Sequence, residues 1–193
     1  MPDATPAPSA RQVELLEAAY HYALDHGLSE LSLRPLATAI GSSPRVLTFL
    51  FGNKDGLVRA LLERARADEL AILERLRRAS HGEPIGLVPA VELIWAWLAA
   101  TEHRPLLKLW AEAYARSLVE PDGAWAGFAH ATVADWLAVL AACQPESERD
   151  TEVGEARRSL ALAVLRGALL DLLATDDDDR VTAAVRHHLA HRD

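Results

Sequence analysis

Three groups of residues in this 193-residue chain are of types and spacings that do chemistry. The first lies in the run Ser43-Pro44-Arg45-Val46-Leu47-Thr48-Phe49-Leu50-Phe51. At helical spacing it turns Leu47, Leu50 and Phe51 to one side and Ser43, Pro44, Arg45, Thr48 and Phe49 to the other. The fork of Arg45 can bond the O6 and N7 edge of a guanine, and Thr48 can donate a hydroxyl. Arg34 and Lys54 stand where helices begin, behind Ser32 and Asn53, and suit phosphate. The second group is aromatic: Trp95, Trp97, Trp110, Trp125 and Trp136, joined by Tyr114 and Phe128. Such residues on successive helices suit a flat apolar ligand, which His103, Glu112 and His130 could orient. The third group tempts but is discounted. His187 and His191 are an i,i+4 pair without the Glu of a zinc-protease motif, Asp176–Asp179 lack the spacing of a calcium loop, and Cys143 has no basic neighbour in sequence. No phosphate loop, nucleophile elbow or dinucleotide fingerprint is present. The expectation is no catalytic centre, no metal and no cofactor.

These side chains need short and long helices to hold them. Half the residues are apolar, Ala and Leu dominate, and β-branched runs are scarce. Residues 1–8, rich in Pro and Ala, read as a disordered arm. Ser9 caps a first helix with Val13, Leu16, Tyr20, Ala23 and Leu24 on its apolar face, and Gly27 ends it. Ser32 caps a second, with Leu33, Leu36, Ala37 and Ile40 inward. Gly41 breaks it, and Ser42 or Ser43 caps a third, which stops at Gly52-Asn53. Two short helices joined by a Gly turn form a helix-turn-helix. A long helix over 54–78 follows, with Leu57, Leu61, Leu62, Ala65, Leu70, Leu73 and Leu76 as its apolar positions, then a loop at 81–84. Further helices are predicted over 86–101, 104–118, 122–143, 150–175 and 179–190. The stretch 157–173 is apolar on more than one face, and 180–190 is amphipathic through Val181, Ala184, Val185 and Leu189.

Charge divides the chain. The net value is −8, which taken whole argues against a nucleic-acid binder. Residues 26–60, however, carry four basic groups (Arg34, Arg45, Lys54, Arg59) against two acidic ones, while residues 68–193 carry 13 basic against 21 acidic. The acid belongs to the body and the head is locally basic. One cysteine excludes an internal disulfide, the N-terminus lacks a signal pattern, and no apolar run is expected to reach the roughly 18 residues that span a bilayer. The expectation is a cytoplasmic protein that does not engage a membrane.

The segment Ser32–Leu57 resembles the helix-turn-helix of TetR-type (TetR/AcrR) transcriptional regulators. Ser32, Arg34, Leu36-Ala37, Gly41, Ser43, Leu47, Phe51, Gly52, Asn53, Lys54 and Leu57 fit that pattern. Thr48 and Leu50 stand where the family usually has Tyr and His. The resemblance covers residues 11–62. It implies an all-α fold: a DNA-binding domain over 9–53, then a ligand-binding and dimerisation domain over 54–193. It also implies a ligand-responsive regulator, a repressor released from a palindromic double-stranded operator by a small, largely apolar effector. Ser32, Arg34, Ser43, Pro44, Arg45, Thr48, Phe49 and Lys54 would meet DNA. Trp95, His103, Trp110, Tyr114, Trp125, Phe128, His130 and Trp136 would meet ligand, and the last two helices would form a homodimer. The alternative is a helical small-molecule-binding protein or minor enzyme that does not bind DNA.

Overall fold

Ser9 opens the first helix by accepting the Gln12 N–H on its hydroxyl, and Gly27, at φ 76°, closes it. The computed structural model describes residues 8–79, 84–120 and 122–191, with backbone alone for 72–79. Residues 1–7 of the arm expected at 1–8, residues 81–83 of the loop expected at 81–84, and Pro121 therefore lie outside the described residues, as do the side chains of Leu73 and Leu76. Every regular element among the described residues is helical: α1 Ala10–His26, α2 Leu33–Ala39, α3 Pro44–Phe51, α4 Lys54–Ala79, α5 Leu87–Ala99, α6 Arg104–Val119, α7 Phe128–Cys143, α8 Glu146–Arg149, α9 Glu152–Thr175 and α10 Asp178–Ala190.

The head is α1–α3 closed onto the start of α4. Its core is Leu15, Ala19, Tyr20, Ala23, Leu36, Ala37, Leu47, Leu57, Val58 and Leu61. The buried arc of α1 is rotated from the one that periodicity picks. Leu15 and Ala19 are buried while Val13 is exposed, because α2, α4 and α6 all pack on this helix and widen its covered face. Gly41 takes φ 63° between α2 and α3, a turn that favours glycine. Ser43 then accepts the Val46 N–H, and Pro44 occupies the first turn of α3. Ser32 holds the cap position of α2 without a side-chain bond to it. The Tyr20 hydroxyl donates to Asp68 at 2.9 Å, with the Arg64 guanidinium 4.8 Å above the Tyr20 ring and bonded to Glu17 at 2.6 Å. Burial, then the Asp68 carboxylate, push the Tyr20 phenol well above its ordinary pKa.

In the body α5, α6 and α7 pack on α4, α9 packs on α5, α6 and α7, and α10 packs on α5 and α9. The segment Gly123–Cys143 is, by length and composition, apolar enough to cross a membrane, contrary to the sequence expectation. In the fold, Phe128, Ala129, Thr132, Trp136 and Leu140 are buried against neighbouring helices. Asp135 takes a two-pronged bond from Arg66, at 2.5 and 2.8 Å. One face of α9 buries Ala161, Leu162, Leu165, Leu169 and Leu172. Another presents Val153, Ala156, Leu160, Ala163, Gly167, Leu170 and Ala174 to solvent, at alternating steps of three and four.

The head and α4 meet at one place with no slack. A Cβ on Gly56 would lie 2.0 Å from the Phe51 carbonyl oxygen. Gly56→Ala is expected to cost about 3 kcal/mol or more, since backbone must move. Urea unfolding followed by circular dichroism reads this, and a loss under about 0.5 kcal/mol would contradict the junction described.

Candidate functional site

The structure presents two candidate sites, one at each end of the first half of α4. In the head, α3 buries Leu47 completely and Leu50 and Phe51 in part. A buried leucine is worth roughly 2 kcal/mol, enough to fix the docking of so short a helix. Its other face is open: Arg45 and Thr48 are exposed, and Phe49 is 85% exposed. A bulky aromatic held so far into solvent needs an explanation other than packing. Ser32, Arg34 and Lys54 are also exposed, while Ser43 and Pro44 are half-buried at the α3 start. All eight head positions named from sequence thus cluster around the helix-turn-helix and the adjoining α4 start.

The second site is a pocket open in part to solvent, about 630 Å³ with its open mouth counted, walled by α4, α5, α6, α7 and α9. Its aromatic walls are Trp97, Trp110, Phe128 and Trp136. Aliphatic side chains from α5, α6 and α9, among them Ile94, Leu107, Leu162 and Leu165, complete most of the rest. The polar exceptions are Glu69, Thr132 and Arg166. The Trp136 indole N–H donates to Glu69. Burial is the main force that pushes the Glu69 carboxyl up to about 7, with Asp135 adding repulsion; the Trp136 bond and Arg66 act in the other direction. Arg166 donates to the Tyr114 hydroxyl oxygen at 2.7 Å, and Tyr114 stacks on Trp110 with centroids 4.9 Å apart. Trp110 Nε1 and Thr132 Oγ1 are buried with no hydrogen-bond partner in the protein.

Of the eight body residues named from sequence, Trp110, Phe128 and Trp136 line this cavity. Tyr114 stands behind Trp110. Trp95 points elsewhere and donates to Thr182 on α10 at 3.0 Å. His103 stacks on Trp97 at 4.2 Å, Trp125 lies under the Arg116 guanidinium, and His130 is exposed. Glu112 reaches away from the cavity. Its carboxylate accepts the Leu28 N–H at 2.9 Å and the Ser29 hydroxyl, just beyond α1. A Cβ on Gly27 would come within 3.1 Å of that carboxylate. One helix, α6, therefore carries both a cavity wall and the clasp on the head.

Sequence reading placed Trp97 in the aromatic group but not among the ligand residues, and it missed Glu69, Thr132 and Arg166 at this cavity. A signal existed for two of them. Glu69 follows Leu62 and Ala65 at helical spacing, and Arg166 follows Leu162, so each places a charge on a core-facing arc. Among the described residues no group of three metal-binding side chains is present. Burial pushes the Cys143 thiol up, away from thiolate chemistry.

Residues 15–61 match the model of bacterial regulatory proteins of the tetR family. Over that head the chain is similar to tetR-family regulators. Over 111 residues it is 27% identical to the HTH-type transcriptional regulator BetI of Paraburkholderia phytofirmans, covering 58% of this chain and 56% of that one. The chain thus spans little more than half the length of the curated relatives it matches. The fold is also that of solved structures. A TetR transcription regulator from Haloarcula marismortui is 20% identical, with TM-score 0.66, over 92% of this chain and 93% of that one. The multidrug binding protein EbrR complexed with proflavin is 23% identical, with TM-score 0.66, over 92% and 98%. The head that matches this model and the cavity of this chain share α4 as a common wall.

The Glu69 environment has a measurable sign. The carboxyl ionises near 4.5 when solvated and at about 7 in the fold. Its contribution to stability is full below 4.5 and is lost as pH rises through 7. Glu69→Gln removes that loss. Its stability relative to the parent should rise across this range by on the order of 2 kcal/mol. Denaturant unfolding at pH 4.5 and pH 8 measures it, and an equal difference at both would contradict the burial described.

Proposed function

We propose that this chain is a homodimeric regulator that binds double-stranded DNA through its head and releases it when a small, largely apolar molecule fills the body cavity. We take 9–53 as the DNA-binding unit and 54–193 as the ligand-binding and dimerisation unit. The observation that carries the reading is the open face of α3: a helix docked by Leu47 that offers Arg45, Thr48 and Phe49 outward. Such a face fits a major groove, where Arg45 would read a guanine and Phe49 would pack on a thymine methyl. Ser32, Arg34, Ser43, Pro44 and Lys54 lie around it and would hold phosphates or fix the helix start.

Several observations support the rest. The stripe Val153–Ala174 on α9 has the alternating three-and-four spacing of a helix seam, and it is exposed in one chain. With α10 packed beside it, it would close a dimer on a second copy and set two α3 faces at a fixed spacing. A fold neighbour, EbrR, is described with proflavin bound, which accords with a flat effector entering the aromatic cavity here. Ligand that displaces Trp110 would move α6, and through Glu112 the loop after α1. The coupling requires ligand to favour one arrangement over the other. On this reading the protein is a cytoplasmic repressor with no catalysis of its own.

Two experiments test it. Binding to a two-fold symmetric site from the chain's own upstream DNA should weaken roughly 10³-fold between 50 and 200 mM salt, if about six phosphates are neutralised per dimer. Arg45→Ala should relax base preference at one position by about 1–3 kcal/mol. Binding that ignores salt, or an unchanged footprint in the variant, would remove α3 from the role. Separately, Leu170→Glu should convert the dimer to monomer in analytical ultracentrifugation and abolish tight binding to the two-fold site. A persistent dimer would move the interface elsewhere.

A further inference from the structure

We propose that the effector is an organic cation: an apolar, partly aromatic molecule whose positive group sits against Glu69 and which carries a hydrogen-bond acceptor for Trp110. The proposal rests on reading the cavity as the effector site. Among the described residues Glu69 is the one acidic side chain on the cavity wall, and its protein partner there is a neutral indole N–H, that of Trp136. Among the described residues no Lys or Arg is bonded to it. Arg66, the nearby guanidinium on the same helix, is engaged on both prongs by Asp135 of α7, so that pair is neutral as a unit. From α9, Arg166 is held over the Tyr114 ring, 5.5 Å from its centroid, and bonded to the Tyr114 hydroxyl. The charges that act on Glu69 are those of Asp135 and Arg66. The wall residues of α5 and α6 bring no charge.

A carboxylate in such a place lacks a counter-charge, and the surrounding rings favour one sign. The faces of Trp97, Trp110 and Trp136 attract a cation and offer nothing to an anion. An anionic ligand would have to enter beside a carboxyl that it keeps protonated. A neutral one would leave the carboxyl with the Trp136 indole as its partner and no counter-charge. Two further groups point to a ligand that bonds as well as fills space. Trp110 Nε1 is a donor only and has no partner in the protein, though the residue is 93% buried, and Thr132 Oγ1, in a residue that is 98% buried, also lacks one. An acceptor atom on the ligand satisfies the first, and either kind of polar atom satisfies the second.

Binding a permanent cation must then ionise Glu69 and release a proton. With the carboxyl at about 7, affinity should rise nearly tenfold from pH 6 to pH 8 and level off above. The test is isothermal titration of the full chain with two probes of one ring system and opposite charge: (2-naphthylmethyl)trimethylammonium and 2-naphthylacetate. The cation should bind at least tenfold tighter at pH 8 and show the pH dependence. Glu69→Gln, checked for folding by circular dichroism, should lose both the preference and the pH dependence. Preference for the anion, binding of neither probe, or a cation affinity untouched by the substitution overturns the proposal. The parent protein alone decides the first two. The same samples titrated into operator DNA separate this from the regulator reading. A cation that binds without weakening the DNA complex leaves the ligand class standing and removes the effector role. Release of DNA by 2-naphthylacetate alone does the reverse.

Discussion

Everything in this molecule is referred to one rod, the 26-residue helix Lys54–Ala79. Its first turns carry Leu57, Val58, Leu61 and Leu62, and the head closes on them. One turn later Ala65 and Glu69 form part of the cavity wall. An α-helix rises 1.5 Å per residue, so the head core and the cavity lie within about 20 Å along one stiff element. The cross-links Tyr20–Asp68, Arg64–Glu17 and Arg66–Asp135 brace that element from both sides. A rod braced this way is poorly suited to bending and well suited to being tilted as a unit.

The parts of the fold legible in the sequence are those fixed by local rules. Ser9, Gly27, Gly41, Ser43 and Gly52 mark the helix ends of the head because capping and left-handed turns depend on a few neighbouring residues. The exposed face of α3 followed from the spacing of Leu47, Leu50 and Phe51 alone. In the body, helix positions came within a few residues; 122–143 proved to be a short turn followed by a helix, because Gly127 starts a new cap, and the short α8 ahead of the helix expected over 150–175 was not foreseen.

The cavity was less legible, and the reason is physical. Five tryptophans at helical spacing say that the body has aromatic faces, not which faces meet. Trp95 and Trp97 sit two residues apart and diverge: one reaches α10 and the other the cavity. Trp110 and Trp125 are both buried, yet only the first meets the void. Charges on core-facing arcs, Glu69 and Arg166, were the better indicators, since a buried ionisable group costs stability unless something offsets it. Glu112 misled for the opposite reason. Its neighbours in sequence belong to the cavity, and its own partner is 84 residues away.

What Glu112 grips is in large part main chain: the amide of Leu28, with Gly27 leaving it room. A peptide amide is the same whichever residue supplies it. Side chains on the far side of the head can change without disturbing this attachment. On the proposed reading, the residues that would choose a DNA sequence could diverge without loss of the contact through which the body would act on them.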